Sequence, residues 1–139
     1  MPRFSDAPPG VVCHPRRAAY VVIRRNDGHV AAVHVPGEGK NRYWLPGGGV
    51  DAGETPEAAI TREVREKLGR TIRLTGRIGE AVQVFYAADD ACWYEMAAAF
   101  FNGELDGQPG GSGEHELCWL DPKTQGASFF HACHAWAAS

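Results

Sequence analysis

The 139-residue sequence lacks an apolar run of about 18 residues, so no membrane-spanning helix is expected. Residues 1–10, MPRFSDAPPG, also lack the continuous apolar segment of a secretory signal peptide, and we therefore expect a cytoplasmic protein. Nor is there an excess of basic residues: 14 lysines and arginines face 17 aspartates and glutamates, a net charge of −3. This balance argues against a nucleic acid polymer as partner but not against a small phosphorylated molecule.

Cysteine is also scarce, with four residues and no CxxC pair. In a reducing compartment this pattern predicts free, mostly buried thiols rather than disulfides. His131, Cys133 and His134 lie close together near the C-terminus. Because no further ligands follow at metal spacing, a zinc site is not expected there.

Hydrophobic patterning predicts one α+β domain with a mixed β-sheet over residues 16–139, preceded by a flexible N-terminal arm over residues 1–15. The first two strands are expected to form a hairpin around Asp27-Gly28, and a helix is expected over about 129–137. Strand-like runs are predicted at 18–25, 30–35, 43–45, 71–74, 80–87, 92–101 and 117–120.

The clearest element is a helix between Thr55 and Gly69. Thr55 suits the N-cap position, Pro56 suits the first helical position, and Gly69 is a typical C-terminal stop. The apolar side chains that recur every four residues, and so predict a core-facing stripe, are Ile60, Val64 and Leu68.

Two carboxylates and a lysine share one side of this helix. Glu63, Glu66 and Lys67 stand at i, i+3 and i+4, which places them beside one another. Paired carboxylates at this spacing suggest a site for a hard divalent cation. The glycines at 47–49 add a backbone that other groups can approach closely.

Taken together, the segment GGGVDAGETPEAAITREVREKLGR (47–70) is similar to the Nudix box. That motif runs Gly, five residues, Glu, seven residues, Arg-Glu, an aliphatic residue, any residue, Glu-Glu, any residue, Gly. The chain thus resembles the Nudix hydrolase superfamily (MutT-like), which implies an α/β/α sandwich with a central mixed β-sheet. The positions that agree are Gly48, Glu54, Arg62, Glu63, Val64, Glu66 and Gly69.

The resemblance also implies roles for individual residues. The Gly47 carbonyl and the carboxylates of Glu63 and Glu66 would hold Mg²⁺ or Mn²⁺, and Glu54 and Arg62 would form a structural ion pair. Glu63 and Glu66 would also be catalytic. Family members often add a downstream glutamate, as metal ligand or catalytic base, from a loop before a Trp-containing strand; the candidates here, in order of preference, are Glu114, Glu116 and Glu104.

Lys67 departs from the motif, because it stands where the family has the second glutamate of the Glu-Glu pair, a principal metal ligand. An ammonium group cannot ligate a cation. Lys67 would either contact a phosphate directly or pair with Glu63 and quench the site. The other candidates for substrate binding are Lys40, Arg42 and Tyr86.

Two functions follow from these features, and both remain open at this point. The first is a Nudix-type pyrophosphohydrolase that cleaves a phosphoanhydride bond in a nucleoside diphosphate linked to another group, by metal-assisted attack of water. The second is a degenerate Nudix domain that binds a nucleotide or a protein without hydrolysis. A homodimer is compatible with either function.

Overall fold

The computed structural model of the chain describes residues 1–37, 39, 42–106 and 113–139. Lys40, predicted to bind substrate, lies outside the described residues. The helices are α1 (Pro56–Leu68) and α2 (Ala132–Ala138), and a short 3₁₀ turn covers Gly126–Ser128. The strands are β1 (Arg3–Phe4), β2 (Cys13–Val22), β3 (Val30–His34), β4 (Tyr43–Trp44), β5 (Gly47–Gly49), β6 (Thr71–Ala87), β7 (Cys92–Asp106) and β8 (Leu117–Leu120).

The strands form two sheets. The larger, with five strands in the order β1-β6-β7-β2-β5, is mixed. In it β2 runs parallel to β7, and β1 runs parallel to β6, whereas β6–β7 and β2–β5 are antiparallel. The smaller sheet is antiparallel with the order β4-β3-β8.

Strand β2 lies in the middle of the core, and the side chains on its two faces pack in two different apolar clusters. Tyr20 and Val22 pack in the cluster that includes Cys133 and Ala137 of α2. The alternate residues of β2 pack in the cluster that includes the stripe of α1. This alternation follows from the two-residue period of a strand. The predicted α+β sandwich with a central mixed sheet is confirmed.

Several predicted elements differ in the structure. The predicted arm over residues 1–15 is partly held in the sheet, since Arg3 and Phe4 pair with β6 and β2 already begins at Cys13. The predicted hairpin is reduced to a bridge between Arg24 and Val30, because β2 and β3 enter different sheets.

The runs predicted at 71–74 and 80–87 are one strand, β6, with register shifts at Leu74/Gly76 and Arg77/Gly79. The GGG segment is strand β5, whereas a loop is expected from glycine's low strand propensity. Among the described residues, no helix is both long and apolar enough to span a membrane.

Candidate functional site

Strand β5 presents bare backbone at the centre of the site. Gly47 has φ +138°, and a Cβ there would lie 2.2 Å from the Ala19 carbonyl oxygen, so only glycine fits. A Cβ on Gly48 would lie 2.8 Å from the carboxyl carbon of Glu63. The glycines therefore let the helix carboxylate lie directly over the β5 backbone.

Helix α1 begins and ends as its sequence predicts. Thr55 Oγ1 accepts the Ala58 N–H at 3.1 Å, and Gly69 adopts φ 64° and donates its N–H to the Arg65 carbonyl. Its apolar stripe is buried in the core. Anchoring that stripe turns Glu63 and Lys67 toward β5.

Arg62 is the centre of a charged network. Its Nε and Nη2 donate to Glu54 at 2.8 and 2.9 Å, Nη1 donates to Glu63 at 2.8 Å, and Nη2 also donates to the Gly49 carbonyl at 3.0 Å. Glu66, half exposed, is a more distant partner of Arg62 at 3.4 Å. The network therefore joins the loop before α1, strand β5 and the helix.

The ionisation of Glu54 reflects this network. The Arg62 guanidinium, followed by the hydrogen bond from the Asp51 N–H, lowers the pKa of Glu54 to about 2. The hydrogen bonds to Glu54 and Glu63 raise the pKa of Arg62. Glu54 and Arg62 are therefore both charged at neutral pH.

Lys67 lies where the resemblance predicts a divalent cation. Its Nζ donates to the Gly47 carbonyl oxygen at 2.6 Å and stands 3.4 Å from Glu63 Oε2. Glu63, whose side chain is only 14% exposed, thus has a cation beside each carboxylate oxygen. Two of the three predicted metal ligands are engaged by the lysine of this same helix.

The family's divalent site does not fit this arrangement. Ion binding to the Gly47 carbonyl and Glu63 requires displacement of an ammonium, and a glutamate ligand is missing at position 67. The described part of the chain contains no group of three or more His, Cys, Asp or Glu side chains arranged to hold a metal ion. We therefore derive no catalytic step through a metal.

Of the three downstream glutamates, Glu114 and Glu116 lie in the segment that enters β8, and Glu104 lies on β7. The Glu114 N–H donates to the Glu66 carbonyl at 3.1 Å, and the His115 N–H donates to the Lys67 carbonyl at 2.8 Å. Glu114 is therefore beside the end of α1, with its side chain exposed. By contrast, Glu104 forms an exposed ion pair with Arg73 on the neighbouring strand.

A cavity of about 280 Å³ adjoins the end of α1. The His34 and Tyr43 rings on its wall have centroids 4.8 Å apart, and Glu116 also faces it. Glu114 and His115 line the cavity and bind the last turn of α1 through their backbones, so this segment connects the cavity wall to the end of the helix.

Two predicted substrate-binding residues are engaged elsewhere. Arg42 donates to the Val35 and Pro36 carbonyls and lies over the Trp44 ring, so its guanidinium holds the backbone that follows β3 against β4. Tyr86, 47% exposed, packs against Trp93. In the ladder Trp93 lies seven residues from the partner of Tyr20, or about 23 Å along the strand from β5.

The structure also reveals a role of His134 that sequence reasoning missed. His134 is fully buried, and its Nδ1 accepts the Leu45 N–H at 3.0 Å, two residues before Gly47. Its Nε2 has no hydrogen-bond partner among the described residues. Burial, followed by the charges of His131 and Lys67, lowers the pKa of His134 far below its usual range. His134 is therefore neutral, and its hydrogen bond to Leu45 supports the backbone between β4 and β5.

Comparisons with known proteins show which family the chain belongs to. The family model for the NUDIX domain matches residues 14–129. The chain is 27% identical over 105 residues to an 8-oxo-dGTP diphosphatase of Escherichia coli, covering 76% of this chain and 74% of that protein. It is 33% identical over 93 residues to the Haemophilus influenzae 8-oxo-dGTP diphosphatase, covering 66% of this chain and 63% of that protein, less than two thirds of its length.

Solved structures share the fold. A NUDIX hydrolase from Nitrosomonas europaea aligns with a TM-score of 0.64 at 18% identity, covering 88% of this chain and 85% of that one. A MutT protein from Methanosarcina mazei aligns with a TM-score of 0.61 at 23% identity, covering 82% of each chain. With the domain match over most of its length and the box in register, the chain belongs to the Nudix family.

Proposed function

We propose that this Nudix domain is a pyrophosphohydrolase that cleaves a phosphoanhydride bond in a nucleoside diphosphate linked to another group, and that Lys67 attenuates its turnover. The observation that carries the proposal is the complete network of Arg62 with Glu54, Glu63 and the Gly49 carbonyl. This network presents the β5 backbone and the helix carboxylates on one surface. The similarity to diphosphatases of nucleotides supports the choice of substrate class.

The neighbouring cavity supports a substrate that extends beyond its phosphates. A diphosphate lying along β5 and α1 places its attached group toward the His34 and Tyr43 rings. Aromatic side chains suit a planar base, and Glu116 offers acceptors for exocyclic amino groups. We therefore assign the cavity to the group attached to the diphosphate.

Attenuation follows from charge. Phosphoryl transfer depends on neutralising the charge that develops on the phosphate oxygens, and divalent cations supply most of that neutralisation in such enzymes. In this chain the Gly47 carbonyl and Glu63 hold a monovalent ammonium instead. Less charge is thereby neutralised, and Glu63 is less available to position water.

A second candidate function is a binding module without hydrolysis, and the 2.6 Å contact between Lys67 and the Gly47 carbonyl favours it. In that case the box keeps its shape and recognises a nucleotide, while no water is activated. A cytoplasmic location and a homodimer stay predictions under either candidate. Mg²⁺ or Mn²⁺ stays a prediction from the family resemblance alone, since the Gly47 carbonyl and Glu63 hold Lys67.

One comparison separates the two candidates. The wild-type protein and its Lys67→Glu, Glu63→Gln and Glu57→Gln variants are assayed by anion-exchange chromatography for release of nucleoside monophosphate, the product that cleavage of the phosphoanhydride bond gives with every compound tested. The panel contains nucleoside triphosphates, dinucleotides and nucleotide sugars, each with Mg²⁺ and with Mn²⁺. Glu57 is the matched control, because it is an exposed glutamate in the first turn of the same helix.

The proposal expects measurable wild-type turnover that Glu63→Gln abolishes, that Glu57→Gln leaves unchanged, and that Lys67→Glu raises. If the wild type is inactive and the Lys67→Glu variant is active, the hydrolase proposal fails and the binding module takes its place. If both proteins are inert on the whole panel, the hydrolase proposal fails. Absence of nucleotide binding as well removes the second candidate.

A further inference from the structure

The misfit between the family's cation site and this chain is centred on Lys67. A metal ion at such a site joins a backbone carbonyl to carboxylates and leaves positions open for phosphate oxygens. Lys67 Nζ joins the Gly47 carbonyl to Glu63 in the same way, across the gap between β5 and α1. The Lys67 ammonium thus connects β5 to α1, as a bound metal ion would.

Lys67 also keeps an unused donor, unlike its neighbour. The five N–H groups of Arg62 are directed to Glu54, Glu63, Glu66 and the Gly49 carbonyl, so none is left for a ligand. An ammonium has three N–H donors, and Lys67 uses one of them in its hydrogen bond to the Gly47 carbonyl, while Glu63 stands 3.4 Å away as an ion-pair partner. The Lys67 side chain is 27% exposed, so a further donor is open to a ligand from solvent.

The net charge around this box also differs from that of a box that binds divalent cations. The carboxylates of Asp51, Glu54, Glu63 and Glu66 surround two cations, Arg62 and Lys67. A glutamate in place of the lysine gives five carboxylates around one cation. The lysine therefore removes two units of the negative charge that attracts a dication, and it adds a phosphate-binding group.

From these observations we infer that Lys67 is a built-in cation that replaces a bound metal ion, so that the box binds a diphosphate group without a divalent metal. The inference rests on the proposed function only in taking a nucleotide diphosphate as ligand. Hydrolysis tests the proposed function, whereas metal-free binding tests this inference. Either result can therefore fail without the other.

The test measures binding of inorganic pyrophosphate and ADP by titration calorimetry in excess EDTA, and again with Mn²⁺. The wild type is compared with Lys67→Met, which keeps the aliphatic stem, with Lys67→Arg, which keeps the charge, and with Lys67→Glu. Lys123→Met is the matched control, since this lysine is exposed in the turn after β8. Thermal unfolding of each variant shows that it is folded.

The wild type and Lys123→Met are expected to bind both ligands in EDTA with similar Kd values. Lys67→Met should weaken binding about tenfold or more, the effect of losing a charged hydrogen bond, and Lys67→Arg should retain most of it. The Lys67→Glu variant should bind the ligands only with Mn²⁺, and it should gain a Mn²⁺ site visible by electron paramagnetic resonance without any nucleotide.

Three results would overturn the inference. The first is a wild type that binds neither ligand in EDTA. The second is a folded Lys67→Met variant that binds as tightly as the wild type. The third is a wild type that binds Mn²⁺ as tightly as Lys67→Glu does, since that result shows that the ammonium does not occupy the cation position.

Discussion

Replacing Arg62 by methionine removes the guanidinium that joins β5, the loop before α1 and the helix itself. Methionine is a suitable replacement because its helix propensity is close to that of arginine, so the helix backbone is little affected. The same substitution at Arg65 is the matched control. Arg65 lies three residues further along α1, is exposed, and makes no side-chain hydrogen bond among the described residues.

The magnitude follows from the contacts that are lost. Arg62 makes three hydrogen bonds to carboxylates at 2.8–2.9 Å and one to the Gly49 carbonyl at 3.0 Å. Hydrogen bonds to charged groups are worth roughly 1.5–3 kcal/mol each, but exposed pairs are worth about 0–1 kcal/mol. Because the Arg62 side chain is 29% exposed, we expect Arg62→Met to lower the free energy of unfolding by about 2–3 kcal/mol.

Urea denaturation followed by circular dichroism measures this difference. For a domain of this size the corresponding fall in Tm is roughly 6–10 °C, whereas Arg65→Met should change the free energy by less than about 0.5 kcal/mol. Equal effects of the two substitutions would refute the reasoning, because they would show that the network contributes no more than one solvated arginine does.

Three further predictions concern the fold around the site. Gly47→Ala should lower the free energy of unfolding in urea by more than about 3 kcal/mol, because the added Cβ meets the Ala19 carbonyl. Gly76→Ala is the control, since open space surrounds Gly76, and it should lower the free energy by under about 1 kcal/mol. Similar losses of free energy in the two variants would contradict the clash at Gly47. Burial, aided by the charge of Arg16, lowers the pKa of His131 to about 4, so the stability that this residue contributes should be full above pH 6.5 and fall by about 3 kcal/mol as pH drops to 4. His131→Phe should remove this share of the loss and leave the share of His134, whose pKa is lowered as well; an unchanged pH dependence contradicts the assignment. Thr55→Ala should lower the free energy of unfolding by about 1 kcal/mol, because it removes the N-cap hydrogen bond, whereas Thr55→Ser should stay close to the wild type. Thermal unfolding measures the difference, and equal Tm values for the two variants would contradict the N-cap role of Thr55.

The helix of the box was predictable because its signals are local. Thr55, Pro56 and Gly69 act on groups within four residues of themselves, and the core stripe needs only the helical period. The family resemblance rested on this same local spacing. Both the helix and the family are confirmed.

The sheets were less predictable, because strand partners are chosen by distant segments. Three glycines have little intrinsic tendency to form a strand, but β2 supplies a ready edge for β5. The same holds for residues 75–79: two glycines there shift the register without ending β6, since β7 continues alongside. Local composition does not contain that information.

The candidate site, like the fold, was predictable only where the contacts are local in sequence. The sequence left open whether Lys67 contacts phosphate or pairs with Glu63, and the structure adds the Gly47 carbonyl as its nearer partner. His134 was missed because its partner, Leu45, lies 89 residues away. Nothing near either residue in sequence connects them.

The last turn of helix α1 depends on a segment far along the chain. The carbonyls of Glu66 and Lys67 accept backbone N–H groups of Glu114 and His115, and Gly113 passes so close that a Cβ there would lie 2.3 Å from the Lys67 oxygen. Helix ends normally leave such carbonyls to solvent or local caps. Here the end of the box helix and the segment entering β8 are expected to open and close as one cooperative unit. Amide hydrogen exchange at Glu114 and His115 therefore reports directly on the integrity of the helix end that carries Lys67.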